Sequence, residues 1–425
     1  MRYDHGALRY AGPSPFAPTC PRVTVALVQR LSHNTRLLFV TRSVRTFAYG
    51  SLAVVLALYL AARGFSEAQI GLLFTLTLLG DAALSLLVAS VADRLGRRKV
   101  LVWSSGLVVL AGGAFVVTGN AWLLTLAAVI GTISPSGAEV GPFMSIEQAA
   151  ISQEIPDTER TWVFGWYQLV GSLSNAVGAL GGGFVARSVA WAGHGELAGY
   201  RVVILAYALA GVLLAALFAR LSAGVEPTHR AKGTGGLHRS RPAMMKLAGL
   251  FAVDSFGSGL AVQTLLAYWL HRRFGADVAQ LGSIFFAANT VAGFSALLSA
   301  RVARRFGLVN TMVWTHIPGN ILLIAFPFMP SLELSVAALL GRFLVAQMDV
   351  PARTSYLMAI VDDDERSAAS ALANQAKLLG ASAGPFAAGL MGLGAAPFVV
   401  AGVLKIAYDL SLWRLFREVR PKEER

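Results

Sequence analysis

The amino-acid sequence predicts an all-α membrane protein, with twelve transmembrane helices arranged as two pseudosymmetric six-helix bundles. Of its 425 residues, 55% are apolar and only 14% are charged, and its mean hydropathy is +0.60. Soluble domains carry about 25% charged residues. Because long apolar runs recur from about residue 37 to about residue 417, we interpret the apolar excess as a series of membrane spans and exclude a soluble enzyme.

Twelve segments are long enough to cross a hydrocarbon layer about 30 Å thick, which takes about 20 helical residues. They lie at 37–62, 67–92, 99–118, 121–147, 162–187, 201–221, 244–270, 278–303, 309–328, 332–360, 367–392 and 396–416. The segment 222–243 is rich in glycine and basic residues, which is typical of a linker. The predicted order is therefore a cytoplasmic N-terminal arm (1–36), an N-terminal bundle (37–221), this cytoplasmic linker, a C-terminal bundle (244–417) and a cytoplasmic tail (418–425).

The distribution of basic residues predicts the orientation of these spans. The chain has 36 Lys and Arg against 23 Asp and Glu, a net charge of +13. With both termini in the cytoplasm, cytoplasmic segments hold 25 of the 36 basic residues and the opposite side holds five. Basic loops remain in the cytoplasm, so we predict cytoplasmic termini in a plasma membrane, the inner membrane of a bacterium. The positive charge then reflects topology and attraction to anionic lipids, not nucleic-acid binding.

The two halves of the chain are repeats of one another. The stretch that begins at Gln69 aligns with the stretch that begins at Gln280, and the stretch from Pro156 aligns with that from Asp362. Two homologous bundles suit alternating access, in which the bundles rock about a site near the middle of the membrane.

The loop between the second and third spans carries the sequence ASVADRLGRRK, from Ala89 to Lys99. With the linker and the repeat, this loop resembles the major facilitator superfamily, whose pattern here is G-x-x-x-D-R-x-G-R-[KR]; Ala89 replaces the first glycine. The resemblance covers about residues 37–417 and implies a cavity lined by spans 1, 4, 7 and 10. Ala179 stands near the position where drug:proton antiporters of the superfamily have the proline of a Gly-Pro motif, which argues against membership of that group.

This loop is also the predicted conformational latch between the halves. Asp93 could face the amide end of the eleventh span near Ser367, because helix N-termini stabilise anions. The arginines could pair with the acidic segment 362–365, or could serve only as membrane anchors. The predicted latch residues are Asp93, Arg94, Gly96, Arg97, Arg98 and Arg366.

Ionisable side chains inside the spans provide the candidate proton-coupling groups, because each costs several kcal/mol in hydrocarbon and needs an ion pair or a function. Glu139 lies between Pro135 and Pro142, which predict a broken helix that could border a ligand cavity. A buried carboxylate without a fixed partner can exchange protons near neutral pH; an ion pair with Arg45 or Arg42 is the alternative. The predicted proton-coupling residues are Glu139, Asp254, Asp349 and Asp81.

Further polar residues are predicted to line the substrate cavity, although helix packing is the alternative for the amides. These residues are Arg45, Arg42, Arg342, Gln263, Gln347 and Asn374. Lys405 and Asp409 are four residues apart on one helix, so they could neutralise each other. Glu147 and Arg353 occupy equivalent positions in the repeats, and His316 is predicted to be a packing residue.

The sequence therefore predicts a secondary active transporter that exports a small organic compound in exchange for protons. Its predicted partners are this substrate, protons and membrane lipids, and it is predicted to be a monomer. The sequence has one cysteine, Cys20, and no pair of histidines at metal-ligand spacing. We therefore predict that the protein uses no metal or other cofactor. The sequence contains no G-x-x-x-x-G-K-[ST] motif, so it predicts no ATP-binding site of that kind. The alternatives are a symporter or facilitator that takes up a charged metabolite, with Arg45 and Arg342 binding the anion, and a membrane-embedded enzyme or lipid scramblase, for which no catalytic constellation is visible.

Overall fold

The structure is a computed structural model that describes residues 31–131, 133–137, 143–226, 238–362 and 365–417. Most of the predicted N-terminal arm, the middle of the predicted linker and the predicted tail lie outside the described residues. So does Glu139, the first of the predicted proton-coupling residues.

Fifteen α-helices and no strands are found in the described part of the chain. In chain order they are α1 (His33–Ala62), α2 (Glu67–Leu95), α3 (Arg97–Val117), α4 (Ala121–Ile130), α5 (Phe143–Glu154), α6 (Asp157–Val189), α7 (Glu196–Phe218), α8 (Arg241–Leu260), α9 (Gln263–Phe274), α10 (Val278–Phe306), α11 (Leu308–Ala325), α12 (Leu332–Ala346), α13 (Asp349–Ile360), α14 (Arg366–Leu390) and α15 (Ala396–Phe416). The predicted all-α fold is confirmed. Nine helical stretches within the described ranges are long and apolar enough to cross a membrane.

Three of the predicted spans are each formed by two helices. Span 4 consists of α4 and α5, span 7 of α8 and α9, and span 10 of α12 and α13. The prolines predict the break in span 4, and the Asp349-Val-Pro351 sequence predicts the break in span 10. The predicted span at 244–270 lies within one candidate membrane span, Arg241–Phe274. The sequence does not predict that this span is interrupted, where Ala261 and Val262 leave the helical conformation. The backbone N–H of Thr264 instead donates to the Pro135 carbonyl in the other half of the molecule, at 3.2 Å.

Equivalent helices of the two halves begin in the same way. Ser66 and Gln69 form a capping box at the start of α2, and Asp277 and Gln280 form one at the start of α10. Each box satisfies backbone donors that a helix N-terminus leaves without partners. Gln69 and Gln280 are the residues at which the sequence repeat begins, so the repeat extends to local hydrogen bonding.

The two largest helix interfaces between the halves are those of α2 with α14 and of α6 with α10. We call the end of the molecule that carries Gly96 and the borders of the linker the linker end, and the opposite end the distal end. At the distal end the helix backbones touch. A Cβ atom on Gly71 would lie 2.3 Å from the carbonyl oxygen of Pro385. A Cβ atom on Gly183 would lie 2.5 Å from the carbonyl oxygen of Val278. Only glycine permits such an approach, so the distal end is closed.

The same interfaces open toward the linker end. Gly165 lies on the face of α6 that carries Gly183, because 18 residues make five helical turns. A Cβ atom on Gly165 would have no neighbour within 4 Å. On α14, Pro385 is buried against α2, whereas Asn374, three turns earlier on the same face, is exposed. The halves therefore enclose a cleft that is open at the linker end and closed at the distal end.

Candidate transport site

A cluster of polar groups from both halves lies near the middle of the molecule, where spans 4 and 7 are broken. We call Asn175, Gln263, Thr264 and Asn289, with the carbonyl groups of residues 135 and 137, the interdomain polar cluster. The Thr264 hydroxyl donates to the Pro135 carbonyl, and the Asn175 amide donates to the Gly137 carbonyl. Asn289 Nδ2 donates to Asn175 Oδ1 at 2.8 Å and to Gln263 Oε1 at 3.2 Å.

Gln263 gives this cluster an unused donor. Its side chain is 6% exposed, and its Nε2 atom has no hydrogen-bond partner among the described residues. A buried amide without a partner costs about 1–3 kcal/mol. The cluster can thus offer a ligand at least one donor, in keeping with the prediction that Gln263 borders the substrate cavity.

An ion pair joins the first and fourth spans of the N-terminal half. Arg45 Nη1 and Nη2 donate to Glu147 Oε1 and Oε2 at 2.8 and 2.7 Å. Glu147 is fully buried and also accepts hydrogen bonds from the hydroxyl groups of Thr41, at 3.0 Å, and Tyr167. Because Glu147 neutralises Arg45, Arg45 does not present a free positive charge to the cleft in this conformation.

Arg42 lies one turn before Arg45 and is equally buried. Its Nη2 atom donates to Gln168 Oε1 at 2.9 Å, and its guanidinium carbon lies 4.0 Å from the centre of the Tyr167 ring. Both partners belong to α6, so Arg42 contributes to the packing of α1 on α6.

The C-terminal half contains a larger buried charge network. Asp254 Oδ2 accepts from Arg353 Nη1 at 3.1 Å, and Asp254 Oδ1 accepts from Lys405 Nζ at 2.7 Å. Arg353 also forms an ion pair with Asp349. Two carboxylates and two cations balance in this network, so the predicted proton-coupling residues Asp254 and Asp349 both have cationic partners.

Lys405 does not pair with Asp409, and that prediction is wrong. Lys405 extends past Gly257 toward Asp254, because this glycine leaves room where a Cβ atom would lie 3.0 Å from Lys405 Cγ. Asp409 instead accepts hydrogen bonds from His316 Nδ1 at 2.9 Å and from Asn320 Nδ2 at 3.0 Å. His316 is therefore not only a packing residue.

The first and fourth spans are joined by a buried ion pair in both halves, but with opposite polarity. The arginine lies on the first span in the Arg45–Glu147 pair, and on the fourth span in the Asp254–Arg353 pair. The repeat thus keeps the position of the pair while exchanging its charges.

Two predicted site residues, Asp81 and Arg342, and one further ionisable residue, Lys377, have no ion-pair partner among the described residues. Asp81 is 1% exposed, and neither of its carboxylate oxygens has a hydrogen-bond partner. Arg342 Nε has no hydrogen-bond partner, and Lys377 Nζ contacts the face of the Phe251 ring at 5.3 Å.

The remaining predicted cavity residues lie near the cleft. Gln347 caps the end of α12, at the break in span 10, and Asn374 is exposed on α14. Within the described ranges, no group of His, Cys, Asp or Glu residues could hold a metal ion.

The predicted latch loop contacts its own half of the molecule in this conformation. The Glu226 carboxylate accepts from the backbone N–H groups of Arg97, at 2.7 Å, and Arg98, at 3.2 Å, at the start of α3. Arg97 Nη1 donates to Gln153 Oε1 at 2.9 Å. Gly96, with a φ of 97°, makes the turn into α3.

The predicted pairing of the latch arginines with segment 362–365 stays a prediction, because residues 363 and 364 lie outside the described part of the structure. The Glu365 carboxylate accepts from backbone N–H groups at residues 238–240. Arg94 and Arg98 are exposed, and the side chains of Asp93 and Arg366 lie outside the described part of the structure.

Comparison with known proteins identifies the family. A family model described as Major Facilitator Superfamily matches residues 38–348. The chain belongs to the major facilitator superfamily. An uncharacterized membrane protein of Saccharomyces cerevisiae is 30% identical over 428 residues, which cover 92% of this chain and 96% of the yeast protein.

Solved structures of superfamily transporters share the fold. The nucleoside transporter NupG is 14% identical, with a TM-score of 0.71 over 91% of this chain and 100% of its own. A D-xylose–proton symporter is 15% identical, with a TM-score of 0.68 over 89% of this chain and 97% of its own. This member of the major facilitator superfamily is thus a membrane transporter of two pseudosymmetric six-helix bundles, and not an enzyme.

Sequence reasoning missed Asn175 and Glu226. Asn175 is a single amide among small and apolar residues in span 5, and its polarity at that depth was a usable signal. Glu226 gave no such signal, because it lies in a linker and binds residues about 130 positions earlier in the chain.

Proposed function

We propose that this transporter exports a small organic compound in exchange for protons, from a plasma membrane in which its linker end faces the cytoplasm. The observation that supports this most is a cleft that opens at one end only, above a polar cluster contributed by both halves. Charge bias supports a cytoplasmic linker end. With that orientation the conformation described is inward-facing and can load a cytoplasmic compound.

Asp81 is the proposed proton carrier. Burial that leaves 1% of the side chain exposed, with no hydrogen-bond partner among the described residues, makes a charged Asp81 costly, so we assign it the protonated form in this conformation. Asp254 and Asp349, by contrast, have cationic partners that favour their charged forms. Glu139 remains a further candidate outside the described residues.

The position of Asp81 links its protonation to the movement of the halves. Asp81 follows Gly80, which contacts the Val129 carbonyl of α4, and it lies on α2, one of the helices that form the interface with the other half. When the distal end opens, α2 separates from α14 and water can reach Asp81. Uptake of a proton by Asp81 when the distal end is open, and its release when the linker end is open, would tie the conformational cycle to an inward proton gradient.

The proposal is tested by measuring the distal opening as a function of pH, without any substrate. In a Cys20→Ser background, spin labels at Trp191→Cys and Leu334→Cys report the distance between the halves at the distal end, where both side chains are exposed. We expect a short distance at low pH and a growing population of longer distances as pH rises, because deprotonated Asp81 disfavours burial.

Asp81→Asn should remove this pH dependence and keep the short distance, because the amide resembles the protonated acid. Glu196→Gln, which changes an exposed carboxylate at the distal end, is the matched control and should behave as the parent. A distance distribution that does not change with pH, or that changes equally in Asp81→Asn, refutes Asp81 as the proton carrier.

The direction of transport is tested in liposomes with a compound found by a ligand-stabilisation screen. Antiport predicts that protons moving down their gradient in one direction drive the compound against its own concentration gradient in the other direction. The proton gradient is dissipated as the compound moves. If the compound instead moves uphill in the same direction as protons, the protein is a symporter and the proposed exchange is wrong.

A further inference from the structure

The buried charges of the C-terminal half do not balance, and the excess is positive. Asp254, Asp349, Arg353 and Lys405 neutralise one another, and Asp409 is held by His316 and Asn320. Two cations, Arg342 on α12 and Lys377 on α14, form no ion pair with any described residue.

Arg342 is directed inward. It lies seven residues after Ser335 and three after Leu339, so it shares the buried face of α12 with these two side chains. Its Nε atom is inaccessible to solvent and donates no hydrogen bond. A guanidinium group has five donors in a fixed plane, and the buried Nε–H of Arg342 is one that no described residue satisfies.

Lys377 lies near the middle of α14, half-buried, with its ammonium group over the Phe251 ring. Asn374, one turn before it on α14, is exposed where the halves have separated. Lys377 and Arg353 both lie 5.3 Å from the centre of the Phe251 ring, and Arg353 binds Asp254. Because the Asp254 carboxylate also acts electrostatically on Arg342, the two cations border the same region of the half. Asp254 cannot serve as their counterion, because its two oxygens already bind Lys405 and Arg353.

Holding two cations in a low-dielectric region without a counterion costs desolvation free energy, and a bound anion would offset that cost. An arginine that can bind through two parallel N–H groups matches the geometry of a carboxylate or phosphate, and a lysine adds a point charge. A neutral substrate would leave both charges uncompensated.

We propose that the transported compound is an organic anion whose carboxylate or phosphate group binds Arg342 and Lys377. This inference rests on the proposed transport through the cleft and names the substrate class. It assigns the two cations to substrate binding, whereas the surrounding ion pairs serve to hold the half together.

Matched pairs of anionic and neutral compounds test this proposal with the purified full-length protein. Benzoate and benzamide, glutarate and glutaramide, and glucose 6-phosphate and glucose differ within each pair chiefly in charge, and thermal unfolding reports their binding. We expect at least one anion to raise the unfolding temperature in a saturable way, while its neutral partner does not. The carboxylate and phosphate arms show which anionic group the site accepts.

Variants assign the effect to the two cations. Arg342→Gln and Lys377→Gln should each weaken the binding of the stabilising anion about tenfold or more, and the double variant should abolish it. Arg273→Gln, which removes an exposed arginine at the distal end, should bind as the parent. Arg342→Lys keeps the charge and should bind more weakly than the parent but more tightly than Arg342→Gln, which separates anion binding from misfolding.

Three results would overturn the inference: no anion in the set stabilises the protein more than its neutral partner, the double variant binds with the affinity of the parent, or Arg273→Gln loses as much affinity as Arg342→Gln. None of these results touches the pH-dependent distance change assigned to Asp81, which is measured without a ligand. Failure of anion binding is therefore distinguishable from failure of proton-coupled transport.

Discussion

The reversed polarity of the two buried ion pairs predicts that the charges of the N-terminal pair can be exchanged. In Glu147→Arg, two arginines would face each other in a buried site, and in Arg45→Glu two carboxylates would do so. Removing one partner of a buried pair costs about 3–5 kcal/mol, and we expect at least that loss of unfolding free energy in each single variant. The double variant Arg45→Glu/Glu147→Arg restores opposite charges on the same two spans, with the polarity that Asp254 and Arg353 already have.

The surroundings of the pair tolerate this exchange. Thr41 and Tyr167 contact Glu147 through hydroxyl groups, and a hydroxyl can accept a hydrogen bond as well as donate one. We therefore expect the double variant to lose less than half of the stability that the average single variant loses. With single losses of about 3–5 kcal/mol, this corresponds to a coupling energy of at least about 4.5–7.5 kcal/mol.

Denaturant or thermal unfolding in detergent measures these differences, and Glu333→Gln, at an exposed carboxylate, serves as the neutral control. If the losses of the two single variants add in the double variant, the reasoning is refuted, because the pair would then not be exchangeable. If either single variant is as stable as the parent, the Arg45–Glu147 contact does not stabilise the fold.

Two further predictions concern glutamates at the linker end. Glu226→Ala should remove the carboxylate that caps α3 and cost about 1 kcal/mol; hydrogen exchange at residues 97–100 should become faster, and unchanged exchange would contradict the capping role. Hydrogen bonds from Ser240 and from the backbone N–H groups of residues 238–240 lower the pKa of Glu365 from 4.5 to about 2. Its stabilising effect should thus be complete above about pH 5 and be lost as pH falls from 4.5 toward 2. The difference in unfolding temperature between the parent and Glu365→Gln should therefore shrink as pH falls through this interval. A difference that stays constant would contradict the stabilising role of the Glu365 carboxylate.

The sequence was sufficient to predict the features of the fold that depend on local composition. Apolar runs predicted the spans, and the prolines around Glu139 predicted the break in span 4. Even the start of the repeat, at Gln69 and Gln280, marks equivalent capping boxes in the structure. Each of these features depends on residues within a few helical turns of one another. At that range, hydrophobic periodicity and helix-capping residues can be recognised in the sequence.

The features that escaped prediction depend on partners far apart in the chain. The break in span 7 involves a hydrogen bond from Thr264 to Pro135, and no local signal specifies that bond. Lys405 lies four residues from Asp409, yet it binds Asp254, because Gly257 opens a path between the helices. Helix periodicity gives the face on which a charge lies, but the choice between partners on that face is decided by packing.

The conformational state was also beyond prediction from sequence, and it determines how the latch residues are interpreted. Arg97 contacts Gln153 and its backbone N–H contacts Glu226 in the described conformation, in which the cleft is open at the linker end. A latch that closes the linker end would form only in the opposite conformation. The predicted role of Asp93 and Arg366 therefore stays a prediction that concerns that other state.

The unpaired charges divide between the halves, and this division bears on how coupling would work. The unpartnered carboxyl, Asp81, belongs to the N-terminal half, whereas the unpartnered cations, Arg342 and Lys377, belong to the C-terminal half. In the proposed scheme the proton and the anion thus bind different residues on different halves and do not compete for one group. Each would act by favouring one arrangement of the halves, so their coupling would pass through the rocking motion itself. Under this scheme Asp81→Asn abolishes the effect of pH on anion affinity while leaving the anion site intact.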